Sequence, residues 1–336
     1  MSRYLLLCMA LLMSPFAARA GLFDEHTVLE LRLTGPIETL VEQKRYPAER
    51  PFLLEMEGQS LAVNMRVRGK SRLELCDFPP LSLGFGEAGG PPGSLFEGIK
   101  SLKLVTHCLD YGAGEANALS EYAVYRILAL LSDYGYRVRL FRITYADEQD
   151  GRKGREWLRY GFALEPQSDL AKRVGGERLR VKEVSLKRFE DSQMAMMYLF
   201  QYMVGSTDWS LVTARGDEHC CHNGDLVDED GVWRYVAYDF DQAGLVGARY
   251  ARPDPSLRIR NVKQRVYRGF CMDQDVVAQA LAELVSHQAE ILAVIDALPL
   301  LDSDQRETRR TYLEDFFERA GKPDKLLKEF GRACLR

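Results

Sequence analysis

The sequence lacks several features that would assign it to a common class of protein. After its first residues, no segment reaches the roughly eighteen apolar residues that a membrane helix needs. Basic residues are not in surplus, because 45 Lys and Arg face 49 Asp and Glu, for a net charge of −4. Since nucleic-acid-binding domains normally carry a basic surplus, we expect no nucleic-acid partner. We also find no internal repeat and no low-complexity tract.

What is present favours a globular protein with an export signal. Hydrophobic residues make up 46% of the chain, enough for a core in one large domain or two joined lobes. Residues 1–20 contain a positive charge at Arg3, an apolar run at 5–13 and the small-residue exit Ala18-Arg19-Ala20. This order is typical of a secretory signal, and the run is too short to span a membrane. We therefore expect a cleaved signal and a soluble product that is periplasmic or secreted.

Cysteine usage agrees with export. The cysteines beyond residue 20 are Cys76, Cys108, Cys220, Cys221, Cys271 and Cys334. An even number in an exported chain indicates disulfides, although sequence alone does not choose among the pairings. We predict that the first two, both near N-terminal strands, are joined. The adjacent pair at 220–221 is expected not to join to itself, so each of its members would reach one of the two C-terminal cysteines.

Hydrophobic periodicity predicts an α+β fold. Alternating apolar and polar residues predict strands at 27–33, 52–57, 60–68, 101–107, 136–146, 157–164 and 232–240. Helical spacing predicts helices at 117–132, 187–205, 273–297 and 303–333. The chain is thus divided into a β-rich part at 21–164, which carries one prominent helix, and a mainly helical part at 165–336.

The segment 205–241 has the residues best suited to chemistry. Asp208 lies in a loop after a long helix, Asn223 follows in a polar loop, and Asp239 and Asp241 lie at a predicted strand end. A loop aspartate can orient or deprotonate a hydroxyl group, while an asparagine and a later aspartate can hold a divalent metal against phosphate oxygens. Carboxylate and amide oxygens suit Mg²⁺ or Mn²⁺. The same residue types also cap helices and close turns, so spacing alone leaves a purely structural role open.

Six motifs occur in an order that matches a known family. In chain order they are Arg68-Gly69-Lys70-Ser71, Leu102-Lys103-Leu104-Val105, the helix 117–132, the strands ending at Tyr160-Gly161-Phe162-Ala163-Leu164, Ser206-Thr207-Asp208-Trp209 with His222-Asn223, and Tyr238-Asp239-Phe240-Asp241. Together they resemble the spore-coat protein H (CotH) family of atypical protein-kinase-like proteins. The likeness covers about residues 27–245. It departs from the family pattern at Lys70, where the family's turn has asparagine, and at Ser82, where it often has a basic residue.

The resemblance implies a two-lobe protein-kinase-like fold and a set of roles. It implies Asp208 as the catalytic aspartate, Asn223 and Asp239 as metal ligands with Asp241 as a further one, Lys103 or Arg68 at the nucleotide phosphates, and Glu121 as the partner of that cation. The implied cofactor is ATP, or another nucleotide, with Mg²⁺ or Mn²⁺. The implied substrate is a hydroxyl group of a protein or glycan of the cell envelope, which receives a phosphoryl or nucleotidyl group.

Two alternatives share these residues. The chain can be a catalytically inactive kinase-like scaffold that binds a partner in the cell envelope, or a metal-dependent hydrolase built on the same acidic residues. The C-terminal third has no assigned motif, and an ion-paired surface is favoured over substrate contact for Arg265 and Arg268.

Other apparent sites are discounted. Adjacent residues such as His219-Cys220-Cys221-His222 rarely close one tetrahedral zinc site. His107 and Cys108 are neighbours on a predicted strand, so their side chains should point to opposite faces. No G-x-S-x-G elbow surrounds Ser71 or Ser206, which argues against a serine hydrolase.

Overall fold

The computed structural model describes residues 21–149, 151–211 and 219–336 of the chain. The predicted export signal at 1–20 lies outside the described residues. Within them the protein is α+β, as the periodicity predicts, with a β-barrel in the first half and most helices in the second. In this part of the chain, no helix has both the length and the apolar character needed to cross a membrane.

Seven strands close into a barrel. They are β1 (Leu29–Gly35), β2 (Arg50–Met56), β3 (Gln59–Val67), β4 (Leu81–Gly84), β5 (Ser101–Val105), β6 (Val138–Gln149) and β7 (Arg152–Leu164). Their order around the barrel is β1-β2-β3-β4-β5-β7-β6, and closure comes from parallel pairing of β1 with β6. Every second residue of β1 is buried, since alternate side chains of a strand point to opposite faces. Leu33, Met65 and Phe141 belong to the barrel core.

Three helices interrupt the strands. They are α1 (Ile37–Glu42), α2 (Arg72–Leu75) and α3 (Ala113–Leu131). Helix α3 has buried residues on nearly every face, including Ser120 and Glu121. A helix buried all round lies inside a protein rather than on its surface. Its apolar side chains belong to the core of the helical half, so α3 fixes the barrel to that half.

The second half combines six helices and a small sheet within the described residues. The helices are α4 (Gln167–Arg173), α5 (Asp191–Val204), α6 (Gln274–Ser286), α7 (Gln288–Asp296), α8 (Ser303–Ala320) and α9 (Pro323–Ala333). The sheet has β8 (Glu177–Leu179), β9 (Gly224–Glu229) and β10 (Val232–Ala237) in the order β10-β9-β8. Helix α5 ends at Gly205, whose φ of 67° and whose close approach to Tyr312 leave no room for a Cβ.

Two predicted helices are each divided in the structure. The predicted helix 273–297 is α6 and α7, which meet at His287. The predicted helix 303–333 is α8 and α9, because Pro323 cannot continue α8 and instead occupies the first turn of α9. Leu284, Ile291 and Leu292 keep helical spacing across His287, so periodicity does not reveal the first break, whereas Gly321 and Pro323 mark the second break in the sequence.

The disulfides confirm one predicted pair and correct the others. Cys76 is joined to Cys108, as predicted. Cys271 is joined to Cys334, and Cys220 to Cys221, so the prediction that 220 and 221 each reach a C-terminal cysteine was wrong. The physical reason is that Cys271 and Leu335 are hydrogen-bonded backbone to backbone at 2.8 Å, which places Cys271 beside Cys334.

Candidate functional site

Asp208 lies in the loop after α5 and is oriented by three side chains. Its Oδ1 lies 2.8 Å from Nε2 of His222, and its Oδ2 accepts hydrogen bonds from Asn223 Nδ2 at 3.1 Å and from Gln242 Nε2 at 2.9 Å. The same Asn223 amide donates to the Asp208 carbonyl at 2.7 Å. The Asp208 side chain is still 36% exposed. It is therefore a fixed carboxylate that an incoming hydroxyl group can reach.

Asn223 and Asp239 are brought together by the hairpin of β9 and β10. Gly224 pairs with Ala237 across the hairpin, and Tyr238 N–H donates to the Asn223 carbonyl at 3.2 Å. Both residues have positive φ, 50° at Asn223 and 61° at Asp239, a conformation that asparagine and aspartate adopt more readily than most residues. The Asp239 N–H is held by Tyr125 Oη at 2.8 Å. Three residues predicted from sequence, Asp208, Asn223 and Asp239, thus lie in one region.

Arg72, a residue that sequence reasoning missed, joins this region to the barrel. Its guanidinium contacts Glu121 at 3.5 Å and Asp241 at 3.1 Å, and it is hydrogen-bonded to Asp239. The side chains of Arg72, Glu121 and Asp241 are 10%, 4% and 8% exposed. We call Arg72, Glu121, Asp239 and Asp241 the arginine cluster. It links α2 and α3 of the first half to the segment after β10.

In the arginine cluster, three carboxyl groups contact one guanidinium group. Burial opposes the charge of Arg72, but Asp239, Asp241 and Glu121 outweigh it and raise the pKa of Arg72 well above its usual value. Burial raises the pKa of Glu121 to about 8, with Asp241 and Asp239 adding to the effect. Burial also raises the pKa of Asp241 to about 6. At neutral pH, Glu121 therefore holds a proton while Arg72 is shared by the two aspartates.

Lys103 and Arg68, the cations implied by the resemblance, both interact electrostatically with Asp239, and Arg68 also interacts with Glu121. Lys103 Nζ lies 5.7 Å from the centre of the Tyr238 ring. Burial lowers the pKa of Lys103, with Arg68 adding to the effect and Asp225 and Asp239 opposing it. Burial likewise lowers the pKa of Arg68, and Asp239 is the strongest opposing charge.

The guanidinium group in contact with Glu121 is that of Arg72, 3.5 Å away, and not Lys103 or Arg68 as the resemblance implied. In the sequence, Arg72 is distinguished only by its position directly after the Arg68-Gly69-Lys70-Ser71 turn.

The oxygen atoms of this region fit a divalent metal only in part. Asn223 Oδ1 and Asp239 Oδ2 have no hydrogen-bond partner among the described residues. The carboxylate of Asp241 is instead held by Arg72 and by the Tyr250 hydroxyl group. Within the described ranges, no three or more His, Cys, Asp or Glu side chains are grouped to hold a metal ion. Mg²⁺ is often held by one or two carboxylates together with substrate phosphates, and Asn223 and Asp239 fit such a site.

The discounted sites have structural roles. His107 is buried, stacks on Phe78 with ring centres 4.8 Å apart, and pairs with Asp110 at 3.0 Å. Its neighbour Cys108 is in a disulfide, so the pair holds no free thiol. The disulfide at 220–221 likewise removes the thiolates that a zinc site at 219–222 would need.

No family model matches the chain, and no curated protein matches it. Among solved structures, the chain is similar to the crystal structure of a Helicobacter pylori proinflammatory kinase, CtkA. The identity is 10% and the TM-score is 0.35, over 79% of this chain and 86% of that one. At these values the likeness carries no argument about what this chain does.

Proposed function

We propose that the protein is an exported kinase-like transferase, which moves a phosphoryl or nucleotidyl group from ATP or another nucleotide to a hydroxyl group of a cell-envelope protein or glycan. The observation that carries the proposal is that Asp208, Asn223 and Asp239 lie in one region, and that the cations Lys103 and Arg68 both interact electrostatically with Asp239. Phosphoryl transfer depends on positioning and on charge stabilisation around the phosphates. This region offers groups for both.

Each residue has a role that its contacts support. Asp208 is held by Asn223 and Gln242 and accepts or orients the proton of the attacking hydroxyl group. Lys103, which is exposed, and Arg68, which is half-buried, neutralise phosphate oxygens. Asn223 and Asp239 would hold Mg²⁺ or Mn²⁺, which would neutralise charge on the nucleotide phosphates.

The arginine cluster supports a kinase-like arrangement. In protein kinases, a lysine of the β-rich lobe pairs with a glutamate on a helix, and this pair must be in place for activity. Here Arg72 pairs with Glu121 on α3, and the same guanidinium reaches Asp239 and Asp241. The pair therefore aligns the barrel, α3 and the acidic segment. The predicted signal and three disulfides support a location where disulfides persist.

One observation favours a second candidate, an inactive kinase-like scaffold of the cell envelope. Arg72 is hydrogen-bonded to Asp239, so this carboxylate is already neutralised by a guanidinium. An aspartate in that state is a weaker ligand for a metal ion. The two candidates differ in whether a group is transferred to the hydroxyl group. A scaffold can bind nucleotide without transferring a group, so Asp208→Asn would leave its partner binding unchanged.

Thermal shift with ATP and Mg²⁺ or Mn²⁺ tests the proposal. A ligand at 100 times its Kd stabilises a protein by about 2.7 kcal/mol, which corresponds to a rise in Tm of several degrees. We expect this rise in the wild-type protein and in Asp304→Asn, an exposed control on α8, and its loss in Asp239→Asn. No rise with any nucleotide and metal, or an equal rise in Asp239→Asn, would contradict the proposal.

A further inference from the structure

The segment 249–263, which we call the basic segment, is rich in basic residues. It has five basic residues and one acidic residue, Asp254, in a chain whose net charge is −4. All five basic residues are exposed: Arg249, Arg252, Arg258, Arg260 and Lys263. A local surplus of this size in an acidic protein creates a positive field at one place on the surface.

None of these five side chains forms an ion pair with another described residue. Arg265 and Arg268, which follow the segment, behave differently. Arg265 pairs with Asp315 at 2.6 Å, and Arg268 is hydrogen-bonded to the Thr207 carbonyl and lies over the Trp209 ring. Arg265 is thus ion-paired, as expected from sequence, but its side chain is only 4% exposed, whereas the five cations of the basic segment are exposed to solvent.

The basic segment is held close to Asp208. Arg252 N–H donates to Gln242 Oε1 at 3.4 Å, and the amide of Gln242 donates to the Asp208 carboxylate at 2.9 Å. Ala251 and Val262 are buried and anchor the segment to the core. The backbone of Arg252 is therefore one side chain, that of Gln242, away from the candidate catalytic carboxylate, and the segment that carries the other cations is anchored at Ala251 and Val262.

The chemistry of the segment favours carboxylates of a polypeptide. Four of the five cations are arginines, whose planar fork matches a carboxylate with two parallel hydrogen bonds. A surface for acidic sugars would also offer an open aromatic face for stacking. Here Arg249 covers the Tyr111 ring, and the Tyr250 hydroxyl group is bonded to Asp241. Tyr111 is 37% exposed, but one face of its ring is occupied by Arg249, 5.2 Å from the ring centre.

We propose that the basic segment binds acidic residues next to the hydroxyl group that approaches Asp208, so that the substrate is an acidic stretch of polypeptide. This inference rests on the proposed function for the identity of the reaction, but the binding itself needs no nucleotide. Exposed charges more than about 10 Å apart are screened at 0.1 M salt, so the affinity should fall as salt rises.

The experiment measures fluorescence anisotropy of a labelled peptide with one serine between runs of glutamate, without nucleotide. The test variant reverses three charges of the segment, and the control reverses three exposed lysines of the C-terminal region. The two sets are Arg252→Glu, Arg258→Glu and Arg260→Glu for the test, and Lys322→Glu, Lys325→Glu and Lys328→Glu for the control. Both change net charge equally.

We expect the test variant to bind the peptide at least about tenfold more weakly, and the control to change affinity less than about twofold. If the test variant does not fold, as judged by circular dichroism, Arg258→Gln with Arg260→Gln replaces it, with an expected loss of about threefold. Equal losses in test and control, or equal binding of a glutamine version of the peptide, would overturn the inference. So would stronger binding of a uronic-acid polysaccharide that depends on the same arginines, because the partner would then be a glycan.

The thermal-shift experiment with nucleotide separates the two proposals. Peptide binding through the segment without any nucleotide shift would leave the acidic partner in place and remove the transferase. A rise in Tm with nucleotide but no peptide binding would support the transferase and overturn the acidic-peptide partner.

Discussion

Glu121→Gln should change how the stability of the protein depends on pH. Burial in the arginine cluster raises the pKa of Glu121 from 4.5 to about 8. Between these values the folded protein keeps a proton that the unfolded chain has lost, so the free energy of unfolding falls as pH rises through this window. One pKa unit corresponds to about 1.4 kcal/mol, so the whole window represents up to about 5 kcal/mol. Glutamine does not titrate and should remove this dependence.

The interval from about pH 6.5 to 7.5 isolates Glu121. The pKa of Asp241 is raised only to about 6, so most of its effect lies below this interval. Over one pH unit the wild-type protein should lose about 1.4 kcal/mol more than Glu121→Gln. Urea unfolding followed by the fluorescence of the three tryptophans gives the free energies at each pH.

The control is Glu283→Gln, which makes the same chemical change at an exposed position of α6. It should follow the wild-type curve. If Glu121→Gln also runs parallel to the wild-type curve between pH 6.5 and 7.5, then Glu121 does not hold a proton in the cluster and the account of its charge is wrong.

Two further changes test the connections between parts of the chain. Arg72→Met leaves the buried carboxylates of the cluster without their guanidinium and should destabilise the protein by about 3–5 kcal/mol. The free energy of unfolding is measured with urea at pH 7, and Arg45→Met is the exposed control. A loss below about 1 kcal/mol would show that Arg72 does not balance the charge of these carboxylates. Replacing Cys271 and Cys334 together by serine removes a disulfide that links residues 63 positions apart. The free energy of unfolding, measured under non-reducing conditions, should fall by about 2–4 kcal/mol. An unchanged midpoint of urea unfolding would mean that the disulfide does not constrain the unfolded chain.

Local patterns predict the elements of the fold but not how they close. Strands such as β1 and β3 alternate apolar and polar residues because one face of each lines the barrel core. The parallel pairing of β1 with β6 joins residues 112 positions apart, such as Glu30 and Arg142. No local periodicity carries information about a partner at that distance, so barrel closure was not predicted.

The candidate site was also predicted only in its local parts. Asp208, Asn223 and Asp239 were identified because they stand in short motifs, and the structure places them together through one hairpin and one amide. Arg72 was missed because its three partners lie on two distant segments, Glu121 on α3 and Asp239 and Asp241 after β10. The cysteine pairs beyond the first were mispredicted for a similar reason, since only the backbone contact of Cys271 with Leu335 decides them.

Closure of the barrel through β1 and β6 also sets an order of folding. The ribosome makes β1 first, yet its parallel partner is complete only when residue 149 has been added. Until then β1 can form only its antiparallel pair with β2, and its other edge is open to other chains. Pairings between distant residues form slowly, so the barrel should close after α3 has been made. During synthesis, the edge of β1 that β6 later covers therefore stays unpaired until residues 138–149 have been made.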